Sequence, residues 1–382
     1  MGWSGGIDAN SGVGTAATYS SGQTASRTYD VTTFTAPKDG VYMFELKGSG
    51  GNATSWGGAE GRVSGGTGGR TVYYKYMSGG ETVYVGVGGM LCCAFLSTVF
   101  GTSLSVINSA NVYAVAGGGG QGGGYKDNNN RNGGNCKCTV GGNGGGTTGG
   151  TAANEYGCTG GAGGTQSGLG SGGSTEKAGY GQGGNGGVAW DNASYNGYGG
   201  AGGDGWYGGN GGHAACYDNG GNGAGGGGGS GYVSNGSITY GADTFNCSTE
   251  QGGGSPAGSY GSITITFKAE ARSTASLSTD SLYFTQSMTV SIQNPSLSAV
   301  SHNVTWTVGS HSHTESLGAG VGSVSFTFPY DWIDVIPDKT STSGSVQVTT
   351  LRNGAAIGSV SYNYTLLVPN EACPSIGSVS IT

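Results

Sequence analysis

Trp190, Tyr195, Tyr198, Trp206, Tyr207 and Tyr217 punctuate a glycine-dominated stretch of the chain. Aromatic faces stack on sugar rings, and amphipathic rings on loops suit surface contact. Asp191, Asn192, Asp204, Asn210, Asp218 and Asn219 stand beside them and could add hydrogen bonds. These residues therefore read as a ligand-binding set. The same rings could instead pack the rim of whatever the glycines build, and the sequence leaves both readings open. No spacing of the calcium-loop kind turns the acids and amides into a cation site.

The cysteines offer a second chemistry. Cys92, Cys93, Cys136, Cys138, Cys158, Cys216 and Cys247 lie in or near the glycine region, and Cys373 stands apart. A vicinal pair and a C-x-C lack the C-x-x-C spacing and histidine support of a zinc site. They read as disulfide candidates that tie loops together, with connectivity open. His311 and His313 share one face of a strand and could ligate a metal. In a Ser/Thr-rich setting, with His302 nearby, they read instead as polar surface. The expectation is no metal and no cofactor. The chain carries no nucleophile elbow, HExxH, P-loop or dinucleotide fingerprint. Four histidines are poor material for acid–base work, and nothing supports Asp331 and Asp334 as a glycan-cleaving pair. The chain does not read as an enzyme.

Composition narrows the partners. Of 382 residues 88 are Gly, only 9% are charged, and the net charge is −7. No basic stripe exists to meet nucleic-acid phosphates. No apolar run of about 18 residues suggests a membrane span. Met1–Ser20 does not read as a secretory signal, although eight cysteines suit an oxidising exterior. Either a missing precursor start or another route to the exterior, such as cell lysis, would reconcile the two. Asn-x-Ser/Thr triplets, such as those at Asn303 and Asn363, are expected by chance in so Asn- and Ser-rich a chain.

The elements that must position these residues are strands. Residues 28–47 alternate apolar and polar around a turn at Pro37–Gly40. Residues 71–87 read as a hairpin around Ser78-Gly79-Gly80. Residues 104–116, 230–240 and 260–268 supply further strands, and no convincing helix appears. Past residue 270 the chain turns to Ser, Thr and Val in strand after strand: MTVSI, NVTWTV, SVSFTF, SGSVQVTTL, IGSVSYNYTLLV. That spacing predicts an immunoglobulin-like sandwich. The expected layout is an extension over 1–27, a glycine-rich domain over 28–269 with its insertion at about 117–258, and a sandwich over 270–382.

The glycines keep a phase. GGNGGG at Gly141, GGAGGT at Gly160, GGNGGV at Gly183, GGAGGD at Gly199 and GGNGGH at Gly208 repeat every third residue. Ordering a Gly costs about 0.5–1 kcal/mol more than ordering Ala. A three-residue helix of the polyproline-II kind points its amides outward. Lateral bonds between such rods, at about 1 kcal/mol net each, offset that cost. The phase thus predicts a bundle of polyglycine-II helices, with the third residue of each triplet turned to solvent or to the rim. Disorder is the alternative that bare composition suggests.

Two resemblances sharpen this. FTAPKDGVYMFELKGSGG (34–51), GGRTVYYKYMSGGETVYVGVGG (68–89), AVAGGGG (114–120), GGGGGSGY (225–232) and GSYGSITITF (258–267) resemble the glycine-rich domain of many bacterial and phage surface proteins. A similar block occurs in the ectodomain of the anaplastic lymphoma kinase receptor family. The resemblance implies a jelly-roll-like β-sandwich with an inserted polyglycine-II helix bundle, as in the host-binding tips of certain T-even-like phage adhesins. Residues 302–382, with the Trp306 strand, SVSFTFP, IPDKTSTSGSVQVTT and the closing IGSVSIT, resemble a sandwich domain of siphophage tail-tip and fibre proteins. Together they imply an all-β virion protein, a tail fibre or tail-tip component presenting host-binding loops. Its implied partners are other virion subunits, with a homotrimer as one plausible assembly, and a host surface glycan or protein. The alternatives are a secreted or surface-anchored bacterial adhesin and a ligand-binding receptor ectodomain.

Overall fold

The computed structural model describes residues 3–20, 30–53, 61–91, 94–95, 97–103, 110–127, 138–154, 157–170, 195–217, 220–335 and 340–368. The chain forms two compact units: Met1–Ile238 with Thr244–Lys268, and Thr239–Asp243 with Ala269–Thr382. Both are built of β-strands. Among the described residues the helical elements are two short 3-10 turns, Leu297–Ala299 and Tyr330–Val335.

The first unit contains two sheets. One runs in the order Trp3–Gly5, Ala16–Ser20, Ser262–Glu270, Gly40–Lys47, Arg70–Met77, Ser248–Glu250. The other runs Tyr232–Val233, Val112–Ala116, Thr98–Gly101, Thr82–Val87, Asp30–Thr35. Alternation decides which side chains go inside: Ile263, Ile265 and Phe267 are fully buried while their neighbours are half-exposed. They meet Tyr42, Phe44, Leu46, Val85 and Phe100 in one core, with the Phe44 and Phe100 rings stacked 3.9 Å apart. Residues 3–20, expected as an extension, supply two strands of the first sheet.

The hairpin expected over 71–87 is a correction. Arg70–Met77 and Thr82–Val87 are adjacent in sequence but lie in different sheets. The turn between them is a corner, with the Gly80 N–H donating to the Ala36 carbonyl and Gly80 at φ +85°. Asp30–Thr35 and Gly40–Lys47 also part company, one to each sheet. Both strands of each pair have a buried apolar face, and that is satisfied as well by facing sheets as by a hairpin.

The glycine segments between Val112–Ala116 and Tyr232–Val233 are mostly neither strand nor helix by their own bonding. Instead they pair sideways, main chain to main chain. The Gly66 N–H donates to Gly120, that of Gly120 to Gly142, that of Gly142 to Gly226, and that of Gly226 to Gln121, at 2.8–2.9 Å. The donors recur every third residue. Gly118 and Gln121 reach Asp204 and Ala201; Gly119 and Gly122 reach Ser49 and Asn52; Gly120 and Gly123 reach Gly142 and Thr139. Each phase of the segment 117–123 thus faces a different neighbour.

The second unit stacks a three-stranded sheet, Thr274–Leu277, Ser287–Gln293, Ser323–Thr327, against a five-stranded one. The latter runs Ser281–Tyr283, Ala355–Leu367, Ser341–Arg352, Ser301–Val308, His311–Leu317. Every strand run singled out past residue 270 is found as a strand. Trp306 is fully buried among Val304, Val308, Val346, Phe328 and Tyr364. Opposite faces carry Ser and Thr, paired across strands as Ser287–Thr327, Thr289–Ser325, Thr305–Thr314 and Thr349–Ser359.

His302 marks a pH-sensitive point in this unit. Its Nε2 lies 2.8 Å from the Ser273 hydroxyl, which accepts from the Asn294 amide, and its Nδ1 is buried without a partner. Burial lowers its proton affinity below the ordinary 6.5. The unfolded chain takes up the proton first as pH falls, so stability is full above about 6.5 and declines below it. Denaturation of the protein at pH 7.5 and pH 5 should show the second unit weaker in acid, and His302→Gln should flatten that slope. An equal slope in the variant would remove His302 as the cause.

Candidate binding surface of the glycine block

The segment 224–230 sits at the centre of the glycine block. Ala224, Gly227 and Ser230 donate to His213, Asn210 and Tyr207; Gly226 and Gly229 donate to Gln121 and Gly118; Gly228 donates to Gly150. Its carbonyls accept from Gly142, Gly145, Gly161, Gly164, Gly200 and Gly203. Such close approach requires bare α-carbons. A Cβ on Gly226 would lie 2.0 Å from the Ala201 oxygen, and one on Gly120 would lie 2.0 Å from the Gly226 oxygen.

The third residue of the triplets does not always turn outward. Gln121, Asp204 and Asn210 are buried, at 1%, 5% and 1% exposure. The Gln121 Oε1 accepts from the Ala201 N–H at 3.1 Å, and the Asn210 amide donates to the Gly170 carbonyl. These side chains supply hydrogen bonds to backbone groups, which makes the interior tolerant of short amides. Asn143, by contrast, is exposed.

The aromatic candidates are dispersed. Trp206 is a correction: it is buried, at 6%, and stacks on Tyr232 with centroids 3.7 Å apart and planes within 5°. It packs with Val99, Val112 and Val115 and joins the glycine block to the sheet, so it offers no face to a ligand. Tyr207 is half-buried at the same junction. Tyr195 and Tyr198 end a strand, Tyr195–Tyr198, that pairs with Gly124–Asp127, which pairs in turn with Gly61–Arg62. Tyr217 ends the strand Ala214–Tyr217, paired with Gly220–Gly223. Trp190, Asp191, Asn192, Asp218, Asn219 and the GGNGGV run at Gly183 lie outside the described residues.

The cysteines converge more than sequence spacing suggested. Cys138 bridges to Gly223, Cys216 pairs with Gly221, and the Cys158 thiol donates to the Asn222 carbonyl at 3.3 Å. All three thus border the segment 221–223, which only long-range pairing could bring about. Cys247 is a buried thiol that accepts from the Tyr74 N–H at 3.3 Å, and burial raises its pKa. Cys92, Cys93 and Cys136 lie outside the described residues, as does Cys373.

In the second unit His311 and His313 do not share a ligand. The His311 Nε2 pairs with Asp334 at 2.6 Å and its ring stacks on Trp332; the His313 Nε2 pairs with Glu315 at 2.9 Å and its ring stacks on Phe326. Among the described residues no group of His, Cys, Asp and Glu is arranged to hold a metal ion. No helix among them is long and apolar enough to cross a membrane.

These features define an all-β protein of two sandwich-like units, one interrupted by a laterally bonded glycine block. Residues 234–382 match the family described as siphovirus protein of unknown function (DUF859). That similarity to a siphovirus domain agrees with the resemblance drawn from residues 302–382. No curated protein and no solved structure matches the chain.

Proposed function

We propose that the chain is a non-enzymatic structural and adhesive protein of a siphovirus particle, a tail-fibre or tail-tip component. The observation that carries this reading is the siphovirus match over residues 234–382. In this reading the second unit, an immunoglobulin-like sandwich, joins other virion subunits, with the fibre built as a homotrimer. The glycine block is a bundle of polyglycine-II helices. Donors at every third residue, each phase aimed at a different neighbour, support that conformation. A lattice of main-chain bonds is rigid and leaves its connecting loops free to vary, which suits recognition of a host glycan or protein. Trp190, Tyr195, Tyr198, Tyr207 and Tyr217 remain as contact residues there.

Purified chain, added in excess, should block adsorption of the parent phage to its host. Replacing residues 171–194 by a short Gly/Ser linker should abolish that block while leaving the protein folded. Full competition by the linker variant would remove host contact from these residues, and no competition by the parent chain would leave the protein a purely architectural role.

A further inference from the structure

A polar depression opens on the five-stranded sheet of the second unit, with a volume of about 320 Å³. Asp280, Ser281, Ser343, Asn363, Tyr364 and Thr365 line it. Strand pairing builds it: Ser281 and Ser343 both stand opposite Thr365, one across the parallel pairing of Ser281–Tyr283 with Ala355–Leu367, the other across an antiparallel one. The Thr365 N–H donates to the Asp280 carbonyl at 2.8 Å, which holds the Asp280 turn against the sheet. Tyr364 is buried and anchored by its hydroxyl to the Thr307 carbonyl, so the floor is rigid.

Some hydroxyls on these sheets bond one another across strands, as in Thr305–Thr314 and Thr349–Ser359. The side chains of Asp280, Ser281, Ser343, Asn363 and Thr365 make no such bond among the described residues and are not tied to any other group. A concave site thus presents a carboxylate, an amide and hydroxyls, all uncommitted. No Lys, Arg or His lines it, which disfavours phosphate, sulfate or an acidic sugar. Its lining holds no exposed apolar side chain, which disfavours lipid. The volume falls at the small end of ligand pockets. Dense donors and acceptors in a small neutral-to-acidic site match one polyhydroxylated ring.

We propose that this depression binds a neutral saccharide residue, with the Asp280 carboxylate and Asn363 amide gripping adjacent ring hydroxyls. The site belongs to the second unit and stands independently of any host contact by the glycine block. The test uses the full chain and saturation-transfer NMR against methyl glycosides of glucose, galactose, rhamnose and N-acetylglucosamine, with glucuronic acid and inorganic phosphate as charged probes. At least one neutral glycoside should receive saturation. Asn363→Ala and Asp280→Asn should each weaken its binding by about tenfold or more, and Thr349→Ala, on a self-paired hydroxyl, should leave it unchanged. Absence of transfer to every neutral glycoside overturns the proposal. So does binding that survives both pocket variants, or a preference for the charged probes. Phage-adsorption competition lost on replacing residues 171–194, alongside intact glycoside binding, separates the two sites.

Discussion

Gly226→Ala should prevent the glycine block from forming. The new methyl would lie 2.0 Å from the Ala201 oxygen and 2.3 Å from its carbonyl carbon, with the Gly200 oxygen at 2.7 Å. All three are backbone atoms, so no side chain can swing away. The segments must separate, and separation breaks the bonds that Gly226 makes with Gln121 and Gly142. Overpacking a core usually costs about 1–3 kcal/mol, but here the obstruction propagates through neighbours that are themselves bonded. The expected loss exceeds about 3 kcal/mol, against a typical domain stability of about 5–15 kcal/mol. Gly168→Ala is the control, because a Cβ there meets nothing within 4 Å. Amide hydrogen exchange reads the result. Parent and Gly168→Ala should protect Gly118, Gly142 and Gly227, and Gly226→Ala should expose them. Equal protection in Gly226→Ala would falsify the lateral packing.

The second large effect is expected at Trp306. Its side chain is fully buried at the centre of the second unit, between strands that pair it with His313 on one side and Val346 on the other. Trp306→Ala removes the largest fully buried side chain among the described residues and should cost about 3–5 kcal/mol, as truncations of buried aromatics do. Trp306→Phe keeps most of the volume. It also deletes an indole N–H that is buried without an acceptor, so part of the lost packing is offset. The ordering parent, Phe, Ala should appear in urea denaturation of the full chain, with the first unit's transition unmoved. An alanine variant within about 1 kcal/mol of the parent would mean that the core is not organised around this residue.

Both predictions start from patterns visible in the chain. The triplet phase of Gly141–Gly146 and Gly199–Gly203 is a local property, and the three-way lateral bonding follows from it. The alternation in Ser262–Glu270 and Ser301–Val308 likewise fixes which side chains are buried, because strand geometry has a period of two. What each pattern faces is not local. Nothing near Met77 and Thr82 says that their strands enter different sheets, since an apolar face is satisfied by either arrangement. The aromatic set shows the same limit: one residue apart, Trp206 is buried on Tyr232 and Tyr207 is only half-buried.

Sequence by itself determined the all-β character, the triplet phase of the glycines and the strand faces, because these depend on residue spacing within a few positions. Tertiary structure alone decided that Gln121 and Asn210 would be interior, that Cys138, Cys158 and Cys216 would border one segment, and that Asp280 and Asn363 would line one depression. Those outcomes join residues far apart in the chain. Their energies arise from partners that local spacing does not name.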